Sequence, residues 1–348
     1  MQRRIDELES LRGLMALWVV VGHAVHLLPM SNIDNPIIKL LKMNGLAVEV
    51  FVILSGFVIF NLLDGARERF WPFIVRRFLR LYPCYIVSLA LSILMTPGNQ
   101  EILSKLPWTT DRLVSVAHIE ANALTFYWPN VAAHILMLQG AVPPNLIPDG
   151  EYAFLGQAWS ISLEWQFYLV APTIFMLCEK RARWPIFSLL VGICAAYYAT
   201  GFRFGDGWLF RQSTYFFVGI VSFYVWRADY KLSQTWRRLL LPITVAAAYL
   251  LIPSWISLGI WAAVITSLLV VRQQGTERIE NTICDVLRSK PLRWLGRISY
   301  SVYLTHMIVI YGLMRVLESF TSKPSEYSVL LIGLSVVGTL VLSDVFYR

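Results

Sequence analysis

Apolar runs of helical length, broken by short polar and basic stretches, recur along the whole chain. Runs long enough to cross a bilayer as helices lie at 11–29, 45–63, 77–96, 157–178, 185–200, 208–226, 239–254, 256–271, 297–316 and 327–346. An eleventh apolar stretch, 126–142, is shorter and is interrupted by Pro129, Asn130 and His134. It reads as a re-entrant or interfacial helix. The pattern therefore predicts an all-α integral membrane protein, a bundle of about ten transmembrane helices, formed by one domain over residues 1–348.

Charge orients that bundle. Most of the 30 Lys and Arg fall at the very start or in 64–80, 179–184, 227–238 and 272–297. Lys and Arg favour cytoplasmic loops, so both termini are expected to be cytoplasmic. A true span at 126–142 would invert every later loop and spoil the asymmetry. The segment 97–156 is then the one long outward stretch, rich in Pro, Asn, Trp and Tyr. Its surface suits a sugar and a membrane interface equally.

Composition agrees. The chain is 57% hydrophobic and only 15% charged, against about 25% charged in soluble domains. The formal charge of +8 follows from topology, and no nucleic-acid partner is expected. Cys84, Cys178, Cys194 and Cys284 lie scattered, without metal or disulfide spacing, and read as packing residues. No cleavable signal peptide and no metal site are expected.

The polar residues inside the apolar runs carry the chemistry. The first run contains Arg12, His23 and His26, after a capping pattern at Asp6 and Glu9. Eleven residues at ~100° each return Arg12 and His23 to within ~20° of one face, ~16 Å apart along the axis. Arg12 alone also fits a snorkelling anchor, and His23 alone a hydrogen bond within the bundle. Together they place a cation near one surface and a titratable group near the midplane. The second run carries Glu49 near its outer end and Ser55-Gly56 near its middle, the latter also suited to close helix packing. Arg76, Arg77 and Arg80 precede the third run, where guanidinium forks fit either lipid headgroups or a bound phosphate. The fourth begins Gln157-Ala-Trp159-Ser160 and carries Glu164, with Ser160 at i−4. The ninth repeats the cation-then-imidazole arrangement with Arg297 and His306, ~13 Å apart, and holds Tyr300 between them.

These five stretches together resemble membrane-bound acyltransferase family 3, bacterial O-acyltransferases of polysaccharides, lipopolysaccharide and Nod factors. Arg12, ten residues and His23 match its first helix. Glu49-Val50-Phe51-Val52-Ile53-Leu54-Ser55-Gly56-Phe57 matches its second, with Val52 replacing a Phe. Arg76-Arg77-Phe78-Leu79-Arg80 matches its Arg-Arg-x-x-Arg stretch. Trp159, Ser160, Glu164, Phe167 and Tyr168 match a further motif, and Leu295, Gly296, Ser299, Tyr300, Tyr303, Leu304 and His306 the last. The family's final acid-x-Pro stretch is lacking, and no fused SGNH domain is expected.

The resemblance implies a multi-pass enzyme of the inner (cytoplasmic) membrane, moving an acyl group from cytoplasmic acyl-CoA, most often acetyl-CoA, to a glycan hydroxyl. Acyl-CoA is then a co-substrate and no cofactor is permanently bound. Arg12, Arg76, Arg77 and Arg80 would hold the CoA phosphates. The pantetheine arm would run along the first helix to His23, acting either as general base or as a covalent acyl carrier. Glu164 and Glu49 would orient a histidine or bind acceptor. Ser55, Tyr300 and His306 would polarise the thioester carbonyl or shape the substrate cavity, with Trp159 and Ser160 also binding substrate. The alternative is a transporter or flippase for a lipid-linked sugar. Such a protein would be expected to show internal repeats, and none is seen.

Overall fold

The structure, a computed structural model, describes residues 5–66, 69–179, 204–228, 254–272, 278–320 and 323–347. All regular structure among the described residues is helical: α1 (Asp6–His26), α2 (Pro36–Lys42), α3 (Gly45–Ala66), α4 (Phe70–Lys105), α5 (Asp111–Thr125), α6 (Tyr127–Ile135), α7 (Trp159–Glu179), α8 (Ser213–Ala228), α9 (Trp255–Arg272), α10 (Arg278–Leu287), α11 (Lys290–Glu318) and α12 (Pro324–Tyr347), with short 3-10 turns between. Among them 7 helices are long and apolar enough to cross a membrane: α1, α3, α4, α7, α9, α11 and α12. The expected span at 208–226 is α8, a helix of 16 residues packed along α3. The spans expected at 185–200 and 239–254 lie outside the described residues, Ser254 apart.

The stretch 126–142 holds only the 9-residue α6 and a 3-10 turn at Gln139–Ala141, too short to cross a bilayer. It docks on the bundle, where the Tyr85 hydroxyl donates to the His134 carbonyl at 2.8 Å. α4 spans 36 residues, about 54 Å of helix. It therefore reaches well beyond a ~30 Å hydrocarbon core, and its last turns support α5.

α1 is the central element, packed lengthwise against α11 and flanked by α3 and α12. Close approach comes from glycine. A Cβ on Gly13 would lie 2.7 Å from the Gly296 nitrogen, and one on Gly296 would lie 2.4 Å from the Glu9 carbonyl oxygen. α3 and α8 meet in the same way, since a Cβ on Gly219 would stand 2.0 Å from the Ile53 carbonyl oxygen. Backbone cannot yield as a flexible side chain can. Gly219→Ala is therefore expected to cost about 1–3 kcal/mol, measured as thermal unfolding in detergent. Gly259→Ala, whose Cβ meets nothing within 4 Å, should leave the transition unchanged or raise it.

The start of α1 differs from the expected capping pattern. Asp6 is already helical, Ile5 is the N-cap, and no side chain caps the helix. Acidic residues of the first turn instead form ion pairs across the bundle end, Glu7 with Arg288 at 2.6 Å and Asp6 with Arg293 at 3.3 Å. Arg288 just before α11 and Arg293 in its first turn are close enough to claim them, and the helix dipole favours acids there in either role.

Candidate active site

Three cavities follow α1 from its first turn to its last. The first, about 190 Å³, is lined by Ile5, Leu8, Glu9, Arg12, Leu54, Val58, Asn61, Leu62, Arg77 and Arg80. The second shares Arg12 and Arg80 with it and continues inward past Phe51, Ser55, Ser160, Glu164, Ser299, Tyr300 and Tyr303. Its present volume is about 50 Å³, room for a few waters. The third opens at the far end of α1 and is lined by His23, His26, Arg112, Glu120, Tyr152, Gln157, Trp159 and Tyr311, among others.

Arg12, Arg77 and Arg80 thus converge on one cavity, each reaching it from a helix surface where spacing predicts it. Arg76 is exposed and lines none of the three. Four-residue spacing keeps it within ~40° of Arg80 around α4, but on the side away from Arg77, and with Phe73 and Ile74 packed inward it turns out. Arg77 lies against the Phe73 and Tyr168 rings, 5.7 and 6.0 Å from their centroids. Its Nε is buried without a hydrogen-bond partner.

Glu164 stands in the second cavity, 4.0 Å from the Arg12 guanidinium. It accepts hydrogen bonds from the Tyr168 hydroxyl and, at 3.4 Å, from Ser55. It is the counter-ion of the arginine end and does not touch a histidine. Ser55 faces this cavity while the adjacent Gly56 packs on the Phe216 carbonyl, so both readings of the Ser-Gly pair hold at once. Glu49 is elsewhere. Its carboxylate accepts from Ser254 and from Ser257 at 2.6 Å and lines none of the three cavities. The Tyr300 hydroxyl donates to the Leu81 carbonyl at 2.7 Å, tying α11 to α4.

His23 faces the third cavity. Its ring lies 5.2 Å, centroid to centroid, from that of His306. His306 is fully buried, and its Nδ1 is 2.7 Å from the Tyr303 carbonyl oxygen. A carbonyl only accepts, so Nδ1 carries the proton and Nε2 keeps its lone pair. That Nε2 is buried with no partner. No hydrogen bond among the described residues engages the His23 ring, which leaves both its nitrogens available to the cavity.

The second and third cavities share no lining residue. Between them stands Tyr303, whose hydroxyl accepts from Ser160 at 2.8 Å and donates to the Gln157 carbonyl at 3.0 Å. Gln157 in turn donates to the Leu304 carbonyl at 2.7 Å. Trp159 and Ser160, adjacent in sequence, face opposite cavities. The first turn of α7 and Tyr303 therefore form the partition between the arginine end and the histidine end.

Residues 5–348 match a family model described as an acyltransferase domain. The chain belongs to this acyltransferase family. Acyltransferase MdmB of Streptomyces mycarofaciens is 25% identical over 90% of this chain and 81% of its own length. The peptidoglycan O-acetyltransferase OatA of Listeria monocytogenes is 23% identical over 97% of this chain. The chain spans only 54% of that relative's length. No solved structure matches the chain significantly.

Two parts of the site were missed in the sequence. In the sequence Tyr303 is only one match to the last motif, and its Ser160 and Gln157 partners are what reveal a partition. Arg112 and Glu120 lay unread in the outward stretch, although the apolar stripe of Leu113, Val116 and Ala123 already marks α5 as amphipathic. Burial pushes the Glu120 carboxyl up to about 7, against the weaker opposing effect of its Asn99 hydrogen bond. A carboxyl raised above its unfolded value binds protons more tightly when folded, so stability falls as pH rises from about 4.5 to about 7. Glu120→Gln should remove that slope, stabilising the protein at pH 8 but not at pH 4.5. Thermal unfolding across this range reads it directly.

Proposed function

We propose that this protein is a membrane O-acyltransferase that moves an acyl group, most often acetyl, from cytoplasmic acyl-CoA to a hydroxyl of an exported or surface glycan. Both termini would then lie in the cytoplasm, and the membrane would be the inner one. The observation that carries this reading is the line of cavities along α1, arginine-lined at one end and histidine-lined at the other.

Arg12, Arg77 and Arg80 would receive the CoA phosphates, with Arg76 as a steering charge outside the cavity. The pantetheine arm would enter the second cavity, which must widen to admit it. Movement of Tyr303 away from Ser160 and Gln157 would open the way to His23. There the acceptor oxygen attacks the thioester carbonyl carbon and His23 takes the hydroxyl proton. The carbon–sulfur bond breaks, and the proton passes to the departing thiolate, giving ester and free CoA. A ring movement bringing a His23 N–H to the buried Nε2 lone pair of His306 would fix the His23 tautomer that presents a basic nitrogen to the acceptor.

Purified protein with labelled acetyl-CoA tests the reading through CoA binding and CoA release. Arg77→Gln with Arg80→Gln should weaken CoA binding at least tenfold, as loss of charge-assisted phosphate contacts requires. Equal binding of CoA by both proteins would overturn the proposed phosphate site.

A further inference from the structure

The cavity at the far end of α1 carries polar groups that proton transfer at His23 does not use. Arg112 projects from the first turn of α5 into it, and Glu120 lies two turns further along the same helix face. No carboxylate pairs with Arg112 among the described residues. It lines the cavity with His23, His26 and Tyr311. The guanidinium thus faces histidines and a phenol, with no carboxylate in ion-pair contact among the described residues.

Glu120 is 5% exposed, and only one of its oxygens is satisfied. Oε1 accepts from Asn99 at 3.3 Å, while Oε2 is buried with no partner. Asn99 cannot turn to serve it, because its Oδ1 accepts from Arg315 at 3.1 Å. A buried, unpaired carboxyl oxygen is destabilising unless a ligand meets it. Tyr152 and Trp159 add aromatic surface to the same cavity. Aromatic faces, a carboxyl for hydroxyls and an uncompensated guanidinium suit a sugar that bears a negative charge.

We propose that this cavity is the acceptor site and that it selects an anionic sugar unit, whose carboxylate or phosphate pairs with Arg112 while Glu120 takes a ring hydroxyl. This rests on the acyl-transfer reading for the word acceptor, but not for the binding itself. His23 lines the same cavity, so a sugar held by Arg112 would present its remaining hydroxyls to the proposed base.

The test is ligand-observed saturation-transfer NMR on full-length protein in nanodiscs of neutral lipid, without acyl-CoA. The probes are methyl glucuronide, glucose 6-phosphate and neutral methyl glucoside. The wild type should bind at least one acidic probe tenfold or more tightly than the glucoside, as a charge-assisted pair implies. Whichever acidic probe wins names the source of the charge. Arg112→Gln should cut that preference below twofold, and Arg112→Lys should retain part of it. Equal binding of all three probes by the wild type would overturn the proposal without recourse to any variant. So would a preference that survives in Arg112→Gln. Acetyl-CoA binding, measured on the same samples, reports the donor site separately. Its absence would overturn the acyl-CoA reading and leave the charge preference standing.

Discussion

His23→Ala should lower the rate of acetyl-CoA-dependent CoA release by about 10²–10⁴-fold, the range that loss of a positioned general base produces. Acetyl-CoA binding should be unchanged. The expectation follows from the separation of the cavities: the arginines that would meet the phosphates line a different space from His23 and share no wall with it. Single-turnover CoA release and equilibrium binding measure the two effects on the same preparation. If affinity fell with rate, His23 would be holding donor and not moving a proton. Label retained on wild-type protein but not on the variant would favour the covalent relay over general-base catalysis. His306→Ala is expected to act through the same step, lowering kcat with little change in KM, because its buried ring touches His23 and lines none of the three cavities.

Glu164→Ala should be the most destabilising change among the polar residues. It strips Arg12 of its carboxylate and removes the acceptor of the Tyr168 and Ser55 hydroxyls. Breaking a buried pair from one side costs about 3–5 kcal/mol. With Arg12 and Glu164 side chains 20% and 17% exposed and 4.0 Å apart, the lower end of that range is expected. Melting in detergent and folded yield measure it. The double variant Arg12→Met with Glu164→Leu should recover most of the lost stability, since it leaves no charge unpaired, yet remain without CoA affinity. Recovery of stability and of affinity together would show that the pair serves neither donor nor structure. Persistent instability would mean that the hydroxyls of Tyr168 and Ser55, and not Arg12, are the partners that matter.

Hydropathy along the chain is enough to assign the fold class. Apolar length set the helices: α1, α3, α4, α7, α9, α11 and α12 lie where hydropathy put them, and the interrupted stretch 126–142 stays short. Bilayer thickness and backbone hydrogen bonding make that inference nearly one-dimensional, because each span satisfies its own backbone. Local periodicity also placed Arg12 and His23 on the one helix that runs past all three cavities. Grouping is different. Glu49 and Glu164 look alike in sequence, each an acid inside an apolar helix. Only packing assigns Glu164 to Arg12 and gives Glu49 to the serines at the start of α9. The His23–His306 pair joins the first helix to one nearly three hundred residues later, and no local pattern encodes that contact. The same holds for Tyr303, which becomes a partition through hydroxyl and carbonyl partners on α7 and the turn before it, and for Arg112 and Glu120, whose cavity exists only because α5 folds back over the end of α1 and α11. Apolar burial is decided residue by residue, but which polar groups meet depends on helix rotation and neighbour choice. Those are properties of the packed bundle.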